Sequence, residues 1–368
     1  MRSSVAGATL LLTVLLSPGL AACAVLSHAP TARTAPTPPA TTSLQSTSLP
    51  KVRLVATGGT ISNRTGGRLT AEELVNSMPG LERFVRPEFE QFANTSSAAL
   101  TLKQWVDLAN RINTLLTEDS DLSGIVVTSG TDTLEETAYF LDLTLHTEKP
   151  VVVVGSMRNP STLGYEGAAN LLDGYRVAAD PASRGKGVLV VLNDEINSAR
   201  DVTKTDAHRL DTFQSRDYGI LGVVDADRVV YYRDVVKRHT SRSEFDVSHL
   251  DTLPRVDVVM TYQGASGDVI KAIVDQGARG IVIASAGAGA TSGTQDEGIR
   301  YAIDKGVFVV TTTRTGSGRI ASRSRGSSGT RFQIQGEDLA PVKARILLML
   351  ALTKTKDGAD IQRMFTEY

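Results

Sequence analysis

Val52-Arg53-Leu54-Val55-Ala56-Thr57-Gly58-Gly59-Thr60 and Ile125-Val126-Val127-Thr128-Ser129-Gly130-Thr131-Asp132-Thr133 decide how this chain folds. In each, an aliphatic run ends in a turn of glycines and hydroxyls, with Arg53 the only polar interruption of the first run. Runs of this kind read as strands buried on both faces, as in a parallel sheet. In open parallel sheets, ligands bind beyond the carboxyl ends of the strands. Two hydroxyl-rich turns at two such ends therefore predict one shared pocket. A threonine beside a proton acceptor is a nucleophile suited to acyl transfer.

Outward from these turns, strands and helices alternate. Further strands are expected at Val151–Val154 and Val188–Leu192, and helices at 71–75, 103–116, 134–143 and 164–179. Alternation of this kind predicts an α/β fold with mostly parallel sheets flanked by helices. Residues 234–254 are polar and read as a linker between a first domain, 51–233, and a second, 255–368. In the second, strands are expected at 256–261, 281–284 and 307–311. Helices are expected at 267–276 and 295–305, and a last helix at 341–353. The small-residue run 284–290 reads as a loop after a strand.

The N-terminus has the grammar of a secretory signal. Arg2 precedes an apolar run, Val5 to Leu16, and Pro18-Gly19 breaks it. Leu20-Ala21-Ala22-Cys23 then resembles a bacterial lipobox, and Cys23 is the only cysteine, so no internal disulfide is possible. Residues 1–23 are read as a signal peptide lipidated at Cys23; the plainer reading is ordinary cleavage nearby with an incidental cysteine. Residues 24–50, rich in Pro, Ser and Thr, read as a disordered tether. The chain is expected to be exported, periplasmic or at the cell surface, touching a membrane through the lipid alone.

Composition excludes several classes. Lys+Arg 39 against Asp+Glu 40 leaves a net charge of -1, so there is no electrostatic footprint for nucleic acid. Aromatics at 5% provide no base-stacking platform. The five histidines lack metal-ligand spacing, and His208 and His239 sit in polar sequence, which argues against a metal site and Ser-His-Asp chemistry. No phosphate loop of the form GxxxxGK[ST] occurs, and no cofactor is expected.

Each turn also has a plain structural reading. A tight turn explains Gly58 and Gly59, though less well the threonines on either side. Thr131 or Asp132 as the N-cap of a helix, with Glu135 and Glu136 in its first turn, explains one acid but not the whole hydroxyl run. Lys204, in Asp201-Val202-Thr203-Lys204-Thr205, is on a loop and would ordinarily be solvated. It gains meaning only by reaching Thr131, where it is placed to act as a base.

Taken together, these stretches resemble the bacterial L-asparaginase family, in particular its exported type II branch. The resemblance spans Lys51 to Tyr368. It rests on 57–61, 130–133, 135–144, Lys149-Pro150-Val151-Val152, 200–205 and Lys343-Ala344-Arg345. It implies a two-domain α/β asparaginase-like fold, a homotetramer built as a dimer of dimers, and hydrolysis of a side-chain amide to acid and ammonia. Thr60 matches the family's nucleophilic threonine. Thr131, Asp132 and Lys204 match its second catalytic set. Asp132 also matches the group that grips the substrate α-ammonium, and Ser97 the one that holds the α-carboxylate.

The chain departs from that pattern around the substrate. Ser129 replaces a histidine, and Ala98 a glutamine. The lid after Thr60 is short and lacks its tyrosine, with Arg64 near that place. Gly264 stands where a partner subunit usually offers asparagine or serine, and Arg325 where a glutamate is expected. Only Asp132 remains of the acidic and amide cage, and an unpaired desolvated ammonium is costly. A related amidase or glutaminase with an altered pocket, in which Arg323 or Arg325 binds an extra carboxylate, is therefore the alternative. A lipid-anchored amino-acid-binding protein without catalysis is a third reading; the threonines and Lys204 argue against it, because pure binding needs no nucleophile.

Overall fold

A computed structural model describes residues 48–321 and 331–368. The signal, Cys23, most of the tether, Arg323 and Arg325 lie outside the described residues. In chain order the strands are β1 (Lys51–Gly58), β2 (Asn63–Arg64), β3 (Gly67–Arg68), β4 (Arg86–Thr95), β5 (Leu122–Thr128), β6 (Val151–Val154), β7 (Val188–Leu192), β8 (Glu195–Ser198), β9 (Thr203–Lys204), β10 (Phe213–Gln214), β11 (Gly222–Val224), β12 (Val229–Tyr231), β13 (Val256–Met260), β14 (Gly280–Ser285), β15 (Phe308–Thr313) and β16 (Gln333–Gln335). The helices are α1 (Ala71–Asn76), α2 (Leu102–Glu118), α3 (Leu134–Thr144), α4 (Gly167–Ala179), α5 (Asp268–Asp275), α6 (Gln295–Asp304), α7 (Pro341–Lys354) and α8 (Gly358–Glu367).

An eight-stranded sheet runs β12-β11-β8-β7-β6-β5-β1-β4, and a four-stranded sheet runs β13-β14-β15-β16. The second sheet is parallel throughout. The first is parallel from β4 to β7 and antiparallel from β7 to β12. The mostly parallel α/β architecture expected from the sequence is therefore the one observed.

The aliphatic runs are buried on both faces. Leu54, Val126, Val152 and Leu189 pack with Leu74 of α1 and Leu171 and Tyr175 of α4. Val55, Val127, Val153 and Val190 face the other way, onto α2 and α3. Trp105 of α2 stacks on Phe140 of α3 with ring centroids 5.3 Å apart. Thr70 and Thr101 start α1 and α2 with capping boxes closed by Glu73 and Gln104.

β1 lies between β5 and β4, with Ala56 opposite Thr128 and Gly58 opposite Thr95. The chain leaves β1 for β4 on one side and returns to β5 on the other, so strand order reverses here. That is the switch point at which an open α/β sheet forms a crevice beyond its strand ends.

Several expectations are corrected. The helix read from Gly164 starts at Gly167, because Gly164 adopts φ +75 in the preceding loop. The helix at 341–354 is not the last; α8 follows it, capped by Asp357. Neither Thr131 nor Asp132 caps α3, since Thr133 takes that position without a side-chain cap bond. His239 keeps polar partners, its ring against Thr240 and Arg242, but it is buried rather than isolated, and burial first, then Arg242, pushes its pKa down to about 4. Within the 234–254 segment, Phe245, Val247 and Leu253 are core residues.

Candidate active site

The turns after β1 and β5 meet backbone to backbone. Gly59 has φ +91, and a β-carbon on it would collide with the backbone of Gly130. A β-carbon on Gly130 would in turn lie 2.8 Å from the Ser97 hydroxyl. Glycine at both positions lets the ends of β1, β5 and β4 converge. Thr57 and Thr128 tie the strands just below, with the Thr57 hydroxyl donating to the Thr128 carbonyl at 2.6 Å and the Thr57 N–H donating to the Thr128 hydroxyl at 3.2 Å.

Beyond them lies a small cavity of about 100 Å³, lined by Gly59, Thr60, Asn63, Arg68, Ser96, Ser97, Gly130, Thr131 and Asp132. Four of the five site residues read from the sequence, Thr60, Ser97, Thr131 and Asp132, thus share one cavity. Lys204 joins them from β9: its Nζ donates to Thr131 Oγ1 at 3.1 Å and to Asp132 Oδ1 at 2.8 Å. Thr131 is buried, whereas the Asp132 side chain is 76% exposed, leaving its carboxylate free to meet a second cation. The Ser97 hydroxyl accepts from the Thr133 N–H at 3.3 Å.

The turn carrying Thr60 is held from several sides. The Gly59 carbonyl accepts from the Ser62 N–H at 3.2 Å, the Ser62 hydroxyl at 3.1 Å and Arg68 Nη1 at 3.3 Å. The Tyr165 hydroxyl donates to the Ile61 carbonyl at 2.9 Å. The short lid is the β2–β3 hairpin, and the Ser161 hydroxyl accepts from the Thr65 N–H in it at 2.9 Å. Arg64, read from the sequence as near the site, is instead paired with Glu73 at 2.9 Å, and Arg68 is the arginine that lines the cavity.

Arg68 and Asn63 were not legible in the sequence; short polar loops carry no periodicity that says which side chain turns inward. Glu135 was read only as a first-turn acid. It is buried, and its Oε1 accepts from the Lys204 N–H at 3.3 Å. Gly264 is exposed and bound through its N–H to Ser292, and it is not among the residues lining this cavity.

The arrangement supports acyl-transfer chemistry. It places two threonines, a lysine donating to the hydroxyl of one of them, and a carboxylate around a space sized for a small side chain. Known proteins share this scaffold. Residues 51–237 match the family described as asparaginase, N-terminal, and residues 255–365 the glutaminase/asparaginase C-terminal domain. L-asparaginase 2 of Bacillus subtilis is 42% identical over 359 residues, covering 93% of this chain and 95% of that protein. L-asparaginase 2 of Escherichia coli is 41% identical over 330 residues, covering 87% and 94%. The crystal structure of a probable cytoplasmic L-asparaginase from Campylobacter jejuni superposes with a TM-score of 0.83 at 39% identity, covering 86% of this chain and 99% of that one. On its two matched regions and these relatives, the chain belongs to the asparaginase family.

Proposed function

We propose that this protein hydrolyses the side-chain amide of L-asparagine to L-aspartate and ammonia, with Thr60 as nucleophile. The observation that carries the reading is Lys204 Nζ at 3.1 Å from Thr131 Oγ1, beside a cavity that Thr60 also lines. Thr60 Oγ1 attacks the amide carbon and its proton passes toward the Thr131–Lys204 pair. The pair returns that proton to the nitrogen of the tetrahedral intermediate, which leaves as ammonia, and an ester remains on Thr60. A water molecule, deprotonated by the same pair, attacks that ester; the carboxylic acid is released and ionises, and the pair returns the water's proton to the departing Thr60 oxygen. By donating to Thr131 Oγ1, Lys204 lowers the cost of negative charge on that oxygen. Asp132 grips the α-ammonium through its exposed carboxylate, and Ser97 holds the α-carboxylate.

The domain plan of 51–233 and 255–368 joined by 234–254, export by the signal at 1–23, lipidation at Cys23 and membership of the type II branch complete the reading. So does a homotetramer built as a dimer of dimers. Labelled palmitate incorporated by the wild type and lost in Cys23→Ser would support the anchor; equal labelling of both would remove it.

One observation favours a second reading, an amidase or glutaminase with an altered pocket. Arg68 lines the same cavity as Asp132, so a cation borders the space in which a substrate ammonium would bind. Ammonia release from L-asparagine, L-glutamine and succinamate separates the two. L-asparagine is expected to have the highest kcat/KM. Succinamate hydrolysed as well as L-asparagine would establish the altered pocket, and binding of L-asparagine with no ammonia released from any of the three amides would overturn both readings.

A further inference from the structure

We propose that Lys343, on the first turn of α7, is a positioning residue for Lys204: it pins the turn from which Lys204 projects, and so sets turnover without touching substrate. The proposal rests on the reading that Lys204 activates Thr131.

Lys204 has little support from its own strand. Its strand, β9, is two residues long and pairs only with the two residues of β10. A ladder of this length cannot fix a side chain to within a fraction of an ångström. The preceding turn, Ser198 to Val202, is closed by the N–H groups of Asp201 and Val202 donating to the Ser198 carbonyl, which leaves other carbonyls of the turn pointing away from it.

Lys343 meets those carbonyls. Its Nζ donates to the Ala199 carbonyl at 2.9 Å, to the Arg200 carbonyl at 2.8 Å and to the Val202 carbonyl. All three ammonium protons are used on one turn of five residues. The side chain is 1% exposed, and none of the ion pairs among the described residues includes it. It also lies at a helix N-terminus, where a cation opposes the dipole. Burial pushes its pKa down to about 8, against the neighbouring Glu135 and Asp201 carboxylates.

A buried lysine with no carboxylate partner is a costly way to close a turn. What distinguishes this turn is its cargo. Two residues beyond the last pinned carbonyl is Lys204, whose N–H is in turn bound by the buried Glu135. Arg200, inside the turn, forms a two-pronged pair with Asp338 at 2.7 and 2.9 Å. Lys343 and Asp338 both belong to the segment that starts α7, so the C-terminal half of the chain clamps the lysine that the N-terminal half uses.

The test is L-asparagine turnover by Lys343→Gln, with hydrogen exchange followed along the same protein. The expected result is a fall in kcat of about tenfold or more with KM within about threefold, since the side chain does not meet substrate. Faster exchange should be confined to 198–205. A kcat within about threefold of wild type, or faster exchange spread evenly over both sheets, would overturn the proposal. If Lys343→Gln does not fold, Lys343→Met, which keeps the stem and removes every donor, takes its place, and unchanged kcat in that folded variant would overturn the proposal equally. Lys204→Ala separates the two claims. Near-normal turnover there removes the role of Lys204 itself, whereas an inactive Lys204→Ala beside a fully active Lys343→Gln removes only the pin.

Discussion

Thr60 and Thr131 line the same cavity, yet their surroundings differ. Thr131 is buried with Lys204 donating to its hydroxyl, while Thr60 is partly exposed at the start of a glycine turn. If one is the nucleophile and the other belongs to its activating pair, neither can be spared. Thr60→Ala and Thr131→Ala are each expected to lower kcat by about 1,000-fold or more, because the residues act as a unit. Either variant at near-normal turnover, measured by ammonia release, would cancel that role. Away from the site, a carboxyl pair makes stability depend on pH. Burial first, and then the adjacent Asp194, push the Asp173 carboxyl up to about 7 from its ordinary 3.8. The folded state therefore holds this proton more tightly than the unfolded one. Its contribution is fully present below about pH 4 and is lost as pH rises through about 7. Asp142, pushed up to about 7 mainly by burial, acts in the same window. Asp173→Asn is expected to lose less Tm than wild type between pH 5 and pH 8. Superimposable Tm curves would show that the shift does not reach stability.

At the scale of elements, the site is the meeting of three strand ends, and its tolerance is set by backbone distance. Gly59→Ala would force a β-carbon into the Gly130 backbone at a φ of +91, where L-residues are strained. The variant is expected to lose about 1 kcal/mol or more of stability and about tenfold or more in kcat, as the two turns are pushed apart. Urea unfolding and ammonia release check the two effects separately. The sequence displayed β1 and β5 because their runs are uninterrupted. It hid β4, whose Arg86, Glu88 and Glu90 alternate with less polar residues at a sheet edge. It also hid β8, β11 and β12, which are only three or four residues long and carry no pattern long enough to read.

Over the whole molecule, α7 is the element that makes one body of two sheets. Ile346, Leu347, Leu348, Met349 and Leu350 are all fully buried, and the same core contains Val153 and Val190 of the first sheet and Val282 and Val310 of the second. A helix apolar all round needs cover on every side, and α3 and β13–β15 provide it. Leu347→Ala is expected to cost about 2–5 kcal/mol in urea unfolding, with KM little changed in the folded fraction. A loss below about 1 kcal/mol would mean that the two sheets do not depend on this contact. Arg200 and Asp338 join the same halves by charge. Burial alone would raise the Asp338 carboxyl, but the Arg200 bonds outweigh it and hold it well below the usual carboxylate range.

The sequence by itself determined the α/β plan and the two threonine turns that border the candidate site, because long apolar runs and glycine–hydroxyl turns are local signals. The family resemblance identified Lys204 and Ser97 with them. Only the tertiary structure decided that these residues meet, since β1 and β5 are adjacent through a crossover in which β4 intervenes in sequence. It also decided that Arg68 rather than Arg64 enters the cavity, and that Lys343 closes the turn behind Lys204. A lysine in an apolar helix and an arginine in a polar hairpin look unremarkable as letters. Which carbonyls a buried ammonium faces depends on packing between segments more than 100 residues apart, and no periodicity in the chain encodes that.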